Sequence, residues 1–79
     1  MALICVESFD RVHKTRNTVH RPTNAEFTVF EHDGTKYFQI DTFGTIDRAM
    51  PEKISQSMQI SKEMAEKLVA LLRHEFSID

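Results

Sequence analysis

A single cysteine, Cys5, excludes an internal disulfide. A small chain that lacks disulfides must be held by its apolar core or by a partner, and the thiol fits a reducing, cytoplasmic setting. Tryptophan is absent and the only glycines are Gly34 and Gly44, so no Gly-rich loop of the kind that cradles phosphate can be built. No apolar run approaches the roughly 20 residues of a membrane span, and "MALICVES" lacks the basic start and the long apolar stretch of a secretory leader. No membrane partner is expected.

With 79 residues the chain makes one domain, residues 1–79. A domain of this size buries only about 60% of the surface of its unfolded chain, so help from a second subunit, most simply a homodimer, is expected.

The clearest local signal is Asp33-Gly34, a two-residue turn of the type that needs positive φ at both positions, between runs rich in aromatic and β-branched residues. That turn fixes a register. His32 faces Thr35, Phe30 faces Tyr37, Val29 faces Phe38, Thr28 faces Gln39 and Phe27 faces Ile40. Because side chains alternate across a strand, Phe27, Val29, Phe38 and Ile40 share one face, which is the expected core. The other face takes Glu26, Thr28, Phe30, Tyr37, Gln39, Asp41 and Phe43.

"KISQSMQIS" alternates as a third strand, with Ile54, Met58 and Ile60 expected on one face. Ser61 stands at an N-cap position and Glu63 lies in the first turn. Ile60 is placed to staple against Ala65. Met64, Ala65, Leu68, Leu71, Leu72 and Phe76 then recur at helical spacing, which predicts an amphipathic helix from about 62 to 76. Nearer the N-terminus, "LICVESF" reads as a short buried strand, and "RVHKTRNTVH" as either a curved strand or an irregular loop. The pattern predicts an α+β fold: a small curved antiparallel sheet of three to five strands with one C-terminal helix packed on one face.

Catalytic and metal-binding patterns are missing. His13, His20, His32, His74 and Cys5 do not have ligand spacing. Glu52 and Lys53 are adjacent and would point to opposite faces of a strand, so they cannot converge with Asp41 and Asp47 on a metal. Ser55, Ser57 and Ser61 belong to no nucleophile elbow. Neither a cofactor nor an enzymatic activity is expected.

Charge is more informative in its distribution than in its total of −2. Residues 11 to 21 hold Arg11, Lys14, Arg16 and Arg21 and no acid. A cation-rich segment beside aromatic rings is what single-stranded nucleic acid requires, phosphates on the cations and bases stacked on the rings. The candidate binding residues are therefore Arg11, Lys14, Arg16, Arg21, Phe30, Tyr37 and Phe43, with Arg48 and Lys53 from the loop before the third strand. The alternative is a protein-interaction or regulatory subunit, such as a phage or mobile-element factor docking on a host complex, for which the exposed aromatic face would be the contact.

Residues 36 to 72, "KYFQIDTFGTIDRAMPEKISQSMQISKEMAEKLVALL", resemble in element order the C-terminal part of the small single-stranded-DNA-binding positive cofactors, a family of transcriptional coactivators. The correspondence runs through Tyr37 to Phe43, Arg48 to Lys53, Ile54 to Ile60, and Ser61 onward. It implies a curved antiparallel sheet backed by a helix, homodimers joined through the helices, and nucleic acid on the sheet. Asp41 stands where that family tends toward a basic residue. Gln39 to Gly44, Arg48, Lys53 and Ser55 to Gln59 also resemble short bacterial and phage proteins termed methionyl-tRNA formyltransferase-like. A chain of 79 residues leaves no room for a folate site, so that resemblance implies no activity.

Overall fold

The computed structural model describes residues 1–45 and 54–79, so Arg48, Lys53 and most of the loop that carries them lie outside the described residues. In chain order come β1 (Ala2–Leu3), a single 3-10 turn (Val6–Ser8), β2 (Thr23–His32), β3 (Thr35–Thr45), β4 (Ile54–Ile60) and α1 (Lys62–Phe76). The strands form one sheet in the order β1-β4-β3-β2. β2, β3 and β4 are antiparallel neighbours, and the two-residue β1 adds a parallel edge beside β4, so the sheet is mixed. The α+β architecture with a single C-terminal helix is the one the sequence predicts.

Asp33 has φ 51° and Gly34 has φ 77°, as the two-residue turn requires. The β2–β3 register is the expected one from His32↔Thr35 down to Glu26↔Asp41. Further from the turn the register shifts between Thr23 and Ala25, and the Thr23 hydroxyl donates toward the carbonyls of Phe43 and Gly44 at the irregularity.

A second irregularity corrects the reading of β4. Its register against β3 slips between Thr42 and Phe43, so that Thr42 faces Gln56 while Phe43 faces Ile54. An extra residue in one strand reverses the facing of every residue beyond it. Ile54 therefore lines a hollow with Gln39, Ser57 and Gln59. It does not continue the face of Met58 and Ile60.

α1 spans the predicted residues. The Ser61 hydroxyl accepts the Met64 amide at 3.3 Å, one of the four N–H groups that the first turn leaves without helical partners. At the other end Ser77 takes a left-handed conformation, φ 53°, and closes the helix. α1 meets the sheet at β4 and then runs beside the N-terminal segment, where Lys67 and Glu75 hold the chain.

The expected core is only partly closed. Among apolar side chains of the described residues just Ile60 and Met64 are buried. Phe27 and Val29 share a face with Phe38 and Ile40 as expected, yet they are 66% and 50% exposed. Leu71, Leu72 and Phe76 are likewise exposed, against the expectation that the helical stripe is core. The reason is geometric: β2 lies at the far edge of the sheet from β4, beyond the reach of a helix that meets the sheet at β4.

The front of the chain is less regular than a buried strand. "LICVESF" supplies Leu3, the second of the two residues of β1, then Ile4, whose N–H donates to the Gln59 carbonyl at 3.0 Å, and the 3-10 turn. Residues 11–21 form no helix or strand and are exposed throughout.

Candidate functional site

The polar face of the sheet is built by the register of β3 on β4. Opposition of Gln39 to Gln59 and of Asp41 to Ser57 places four polar side chains in one patch. They bond one another in sequence. The Gln59 side-chain amide donates to Gln39 Oε1 at 2.8 Å, Gln39 Nε2 donates to Asp41 Oδ1 at 2.9 Å, and the Ser57 hydroxyl donates to the same carboxylate oxygen.

Asp41 is only 7% exposed, the one buried charged residue among those described. The Ser57 bond first and the Gln39 bond second hold its carboxyl below the usual aspartate range, and desolvation opposes them more weakly. The low exposure and the weak desolvation fit together if Asp41 is covered by flanking side chains and not by a second layer. Hydrogen bonding to the charged form decides the direction.

Near the hairpin tip the same face carries Phe30 and Tyr37, opposite each other and stacked, with ring centroids 5.6 Å apart and planes at 28°. Phe43 is half-buried on β3 opposite Ile54. The structure thus brings two of the three expected aromatic residues together.

It does not bring the cations to them. Arg11 is 3.2 Å from Glu75 at the end of α1. Lys14, Arg16 and Arg21 lie in the irregular segment that enters the sheet at Thr23. Phe30 is seven residues further along β2, about 23 Å at the usual strand rise. Between those points the polar face presents Glu26 opposite Asp41, two carboxylates and no lysine or arginine among the described strand residues of that face.

The other face is apolar and open. Phe27 and Phe38 stack at 5.1 Å with planes at 12°, and Val29, Ile40 and Met58 adjoin them. Val29, Phe38 and Ile60 line a hollow whose far wall is the first turn of α1, at Lys62 and Ala65. From Ala65 a second apolar stripe continues along the helix through Val69, Leu72 and Phe76, which are exposed. At about 100° per residue these four fall within roughly 60° of arc, a quarter turn from the stripe of Met64, Leu68 and Leu71.

Sequence reasoning merged the two helical stripes into one. Their separation was visible in the spacing, because 65, 69, 72 and 76 repeat at four and three residues as a packing seam does. Lys67 was also missed as a structural residue. Its ammonium donates to the carbonyls of Val6 at 3.3 Å and Phe9 at 2.9 Å and sits 5.7 Å from the centre of the Phe9 ring.

Among the described residues no group of three His, Cys, Asp or Glu side chains could hold a metal ion. No helix among them is long and apolar enough to cross a membrane. No family model matches the chain, and no curated protein or solved structure matches it.

Proposed function

We propose that the protein is a non-enzymatic interaction module that binds protein through the open apolar face of its sheet and the adjoining helix. One observation carries this reading: Phe27, Val29 and Met58 on the sheet and Val69, Leu72 and Phe76 on α1 are all exposed. An apolar sheet face is stable only against another element, and contiguous exposed apolar surface marks interaction sites. The polar face, whose hydrogen bonds close on themselves and whose central charges are negative, makes no such demand.

Incorporation of photoreactive benzoylphenylalanine at Phe27, and then irradiation of the cells that make the protein, tests this reading. A protein adduct from position 27, and none from position 32 on the polar face, is the expected result. Absence of any protein adduct from position 27 would overturn it.

Single-stranded nucleic acid is the second reading, favoured by the Phe30–Tyr37 stack, which offers an aromatic platform for bases. With Arg11 engaged by Glu75, three cations of the irregular segment remain for phosphates. At about −0.7 per neutralised phosphate they give a slope of about −2 for log K against log salt. Tyr37→Ala should then weaken binding of a labelled oligonucleotide by about 1–3 kcal/mol and leave the slope unchanged, since stacking is uncharged. Anisotropy that stays flat at low salt removes this reading.

A further inference from the structure

We infer that the outer edge of β2 takes up an extended, cationic segment of another protein as a further antiparallel strand. This goes beyond the interaction reading above, because it stands on the main chain of one strand and on its charges, not on the open apolar surfaces.

β2 is the last strand of the sheet. Across the turn at Asp33-Gly34 the main chains of His32 and Thr35 bond each other, and along an antiparallel ladder bonded pairs alternate with non-bonded ones. With the observed register, Phe30, Thr28 and Glu26 therefore bond β3, while Glu31, Val29, Phe27 and Ala25 turn their N–H and C=O groups away from it. No turn, loop or cap among the described residues bonds these outward groups. All of β2 is exposed.

The two edges of the sheet are treated differently. Natural sheets guard an edge by keeping its strand short, or with lysine, proline or a bulge. The opposite edge follows that rule, since β1 has only two residues. β2 has ten, with no lysine or proline, and its one irregularity lies between Thr23 and Ala25, at the end away from the turn. From Ala25 to Glu31 the edge is a regular template on which an extended peptide can pair.

Charge selects the peptide. Glu26 stands opposite Asp41, and like charges directly opposed across strands destabilise a sheet. Neither Glu26 nor Glu31 forms an ion pair among the described residues. A cation opposite Glu26 on an added strand would lie about 5 Å away, Cβ to Cβ, and relieve that repulsion. Further along the same face Phe30 is stacked on Tyr37 on its β3 side, which leaves the other face of the ring toward the edge for a second cation. The residues between them on the added strand fall opposite Phe27, Thr28 and Val29. The segment that fits thus reads basic, apolar, any, apolar, basic.

A fluorescein-labelled peptide with the core arginine-valine-threonine-valine-arginine tests the proposal by anisotropy. The expected result is saturable binding, and a peptide with glutamate for both arginines should bind about 2- to 30-fold more weakly, as favourable cross-strand pairs become unfavourable ones. In antiparallel addition the two valines exchange main-chain bonds with Phe27 and Val29. N-methylation of both valines should abolish binding, and N-methylation of the threonine, whose N–H points away, should leave it intact. Glu26→Lys should weaken the arginine peptide and strengthen the glutamate one. Val29→Pro removes an outward N–H that the hairpin does not use and should abolish binding of both. If that variant fails to fold, Glu26→Lys and the methylated peptides still decide.

Absence of binding by the arginine peptide at low salt overturns the proposal. So does binding that survives N-methylation of both valines, since the main chain would then not be what is read, and so does equal affinity for the glutamate peptide. Light scattering that gives twice the chain mass, lost in Val29→Pro and unaffected by the peptide, would assign the edge to a second copy and likewise overturn it.

Discussion

The two faces of this sheet are made by the same three strands and end in opposite conditions. On one, Gln39, Asp41, Ser57 and Gln59 satisfy one another within the chain. On the other, Phe27 and Val29 stand largely in water beside a helix that meets the sheet only at β4. The difference lies in what each kind of surface needs. A polar group is satisfied by a neighbour at hydrogen-bond distance, and cross-strand register supplies that neighbour locally. An apolar face needs area, and one helix of 15 residues cannot cover both β4 and the distant β2.

The largest effect should come from the part of the apolar core that one chain closes by itself. Met64 is fully buried, so Met64→Ala should cost about 2–5 kcal/mol. Denaturant titration measures it. A loss below about 0.5 kcal/mol, the range of ordinary surface changes, would mean that Met64 is not core.

Phe27→Ala sharpens the contrast. A ring this exposed contributes little within its own chain, whereas its burial by a partner is worth about 1.5–3 kcal/mol. The expected result is a loss in that range with the partner in excess, which shrinks toward zero as the partner is diluted, because a bound partner stabilises by mass action. A small, concentration-independent loss would mean that the apolar face stays open.

Gly34→Val attacks both faces together, since the hairpin turn sets the register of each. Nothing lies within 4 Å of an added Cβ, so crowding is not the cause. Positive φ is: a non-glycine residue there costs roughly 1–2 kcal/mol, and a β-branched one is disfavoured still more. An unchanged melting temperature would show that the turn tolerates side chains.

The smallest effect belongs to the polar face and takes the form of pH dependence. Because the folded state holds the Asp41 carboxyl below its ordinary value, it contributes stability that is fully present above the unfolded pKa of about 3.9. That contribution is lost as pH falls through the depressed folded value. Asp41→Asn should remove this part of the acid sensitivity, so comparison of wild-type and variant melting from neutral pH down to about pH 3 checks it. Parallel curves would mean that Asp41 is not titrating out of a bonded state.

The legible features were those that local geometry decides. Asp33-Gly34 specified the turn, the turn specified the pairs from His32↔Thr35 to Phe27↔Ile40, and Ser61 with the apolar spacing after it specified the helix over 62–76. The polar patch could be drawn as far as β3, since Gln39 and Asp41 are placed by the hairpin alone. Its completion by Ser57 and Gln59 needed the register of β4, which a separate segment of chain supplies. The same limit hid the reversal at Ile54, because a bulge changes facing without changing composition.

By itself, then, the sequence determined each element and the turn that joins two of them, because backbone conformation and side-chain periodicity act over a few residues. Tertiary structure alone decided which surfaces are covered. It drew Arg11 to Glu75 and Lys67 to the carbonyls of Val6 and Phe9, across more than 50 residues of chain. It also set the irregular cationic segment at one end of the sheet and the Phe30–Tyr37 pair near the other. Periodicity states which side of a strand is apolar; whether anything reaches that side depends on where the remaining elements stand in space.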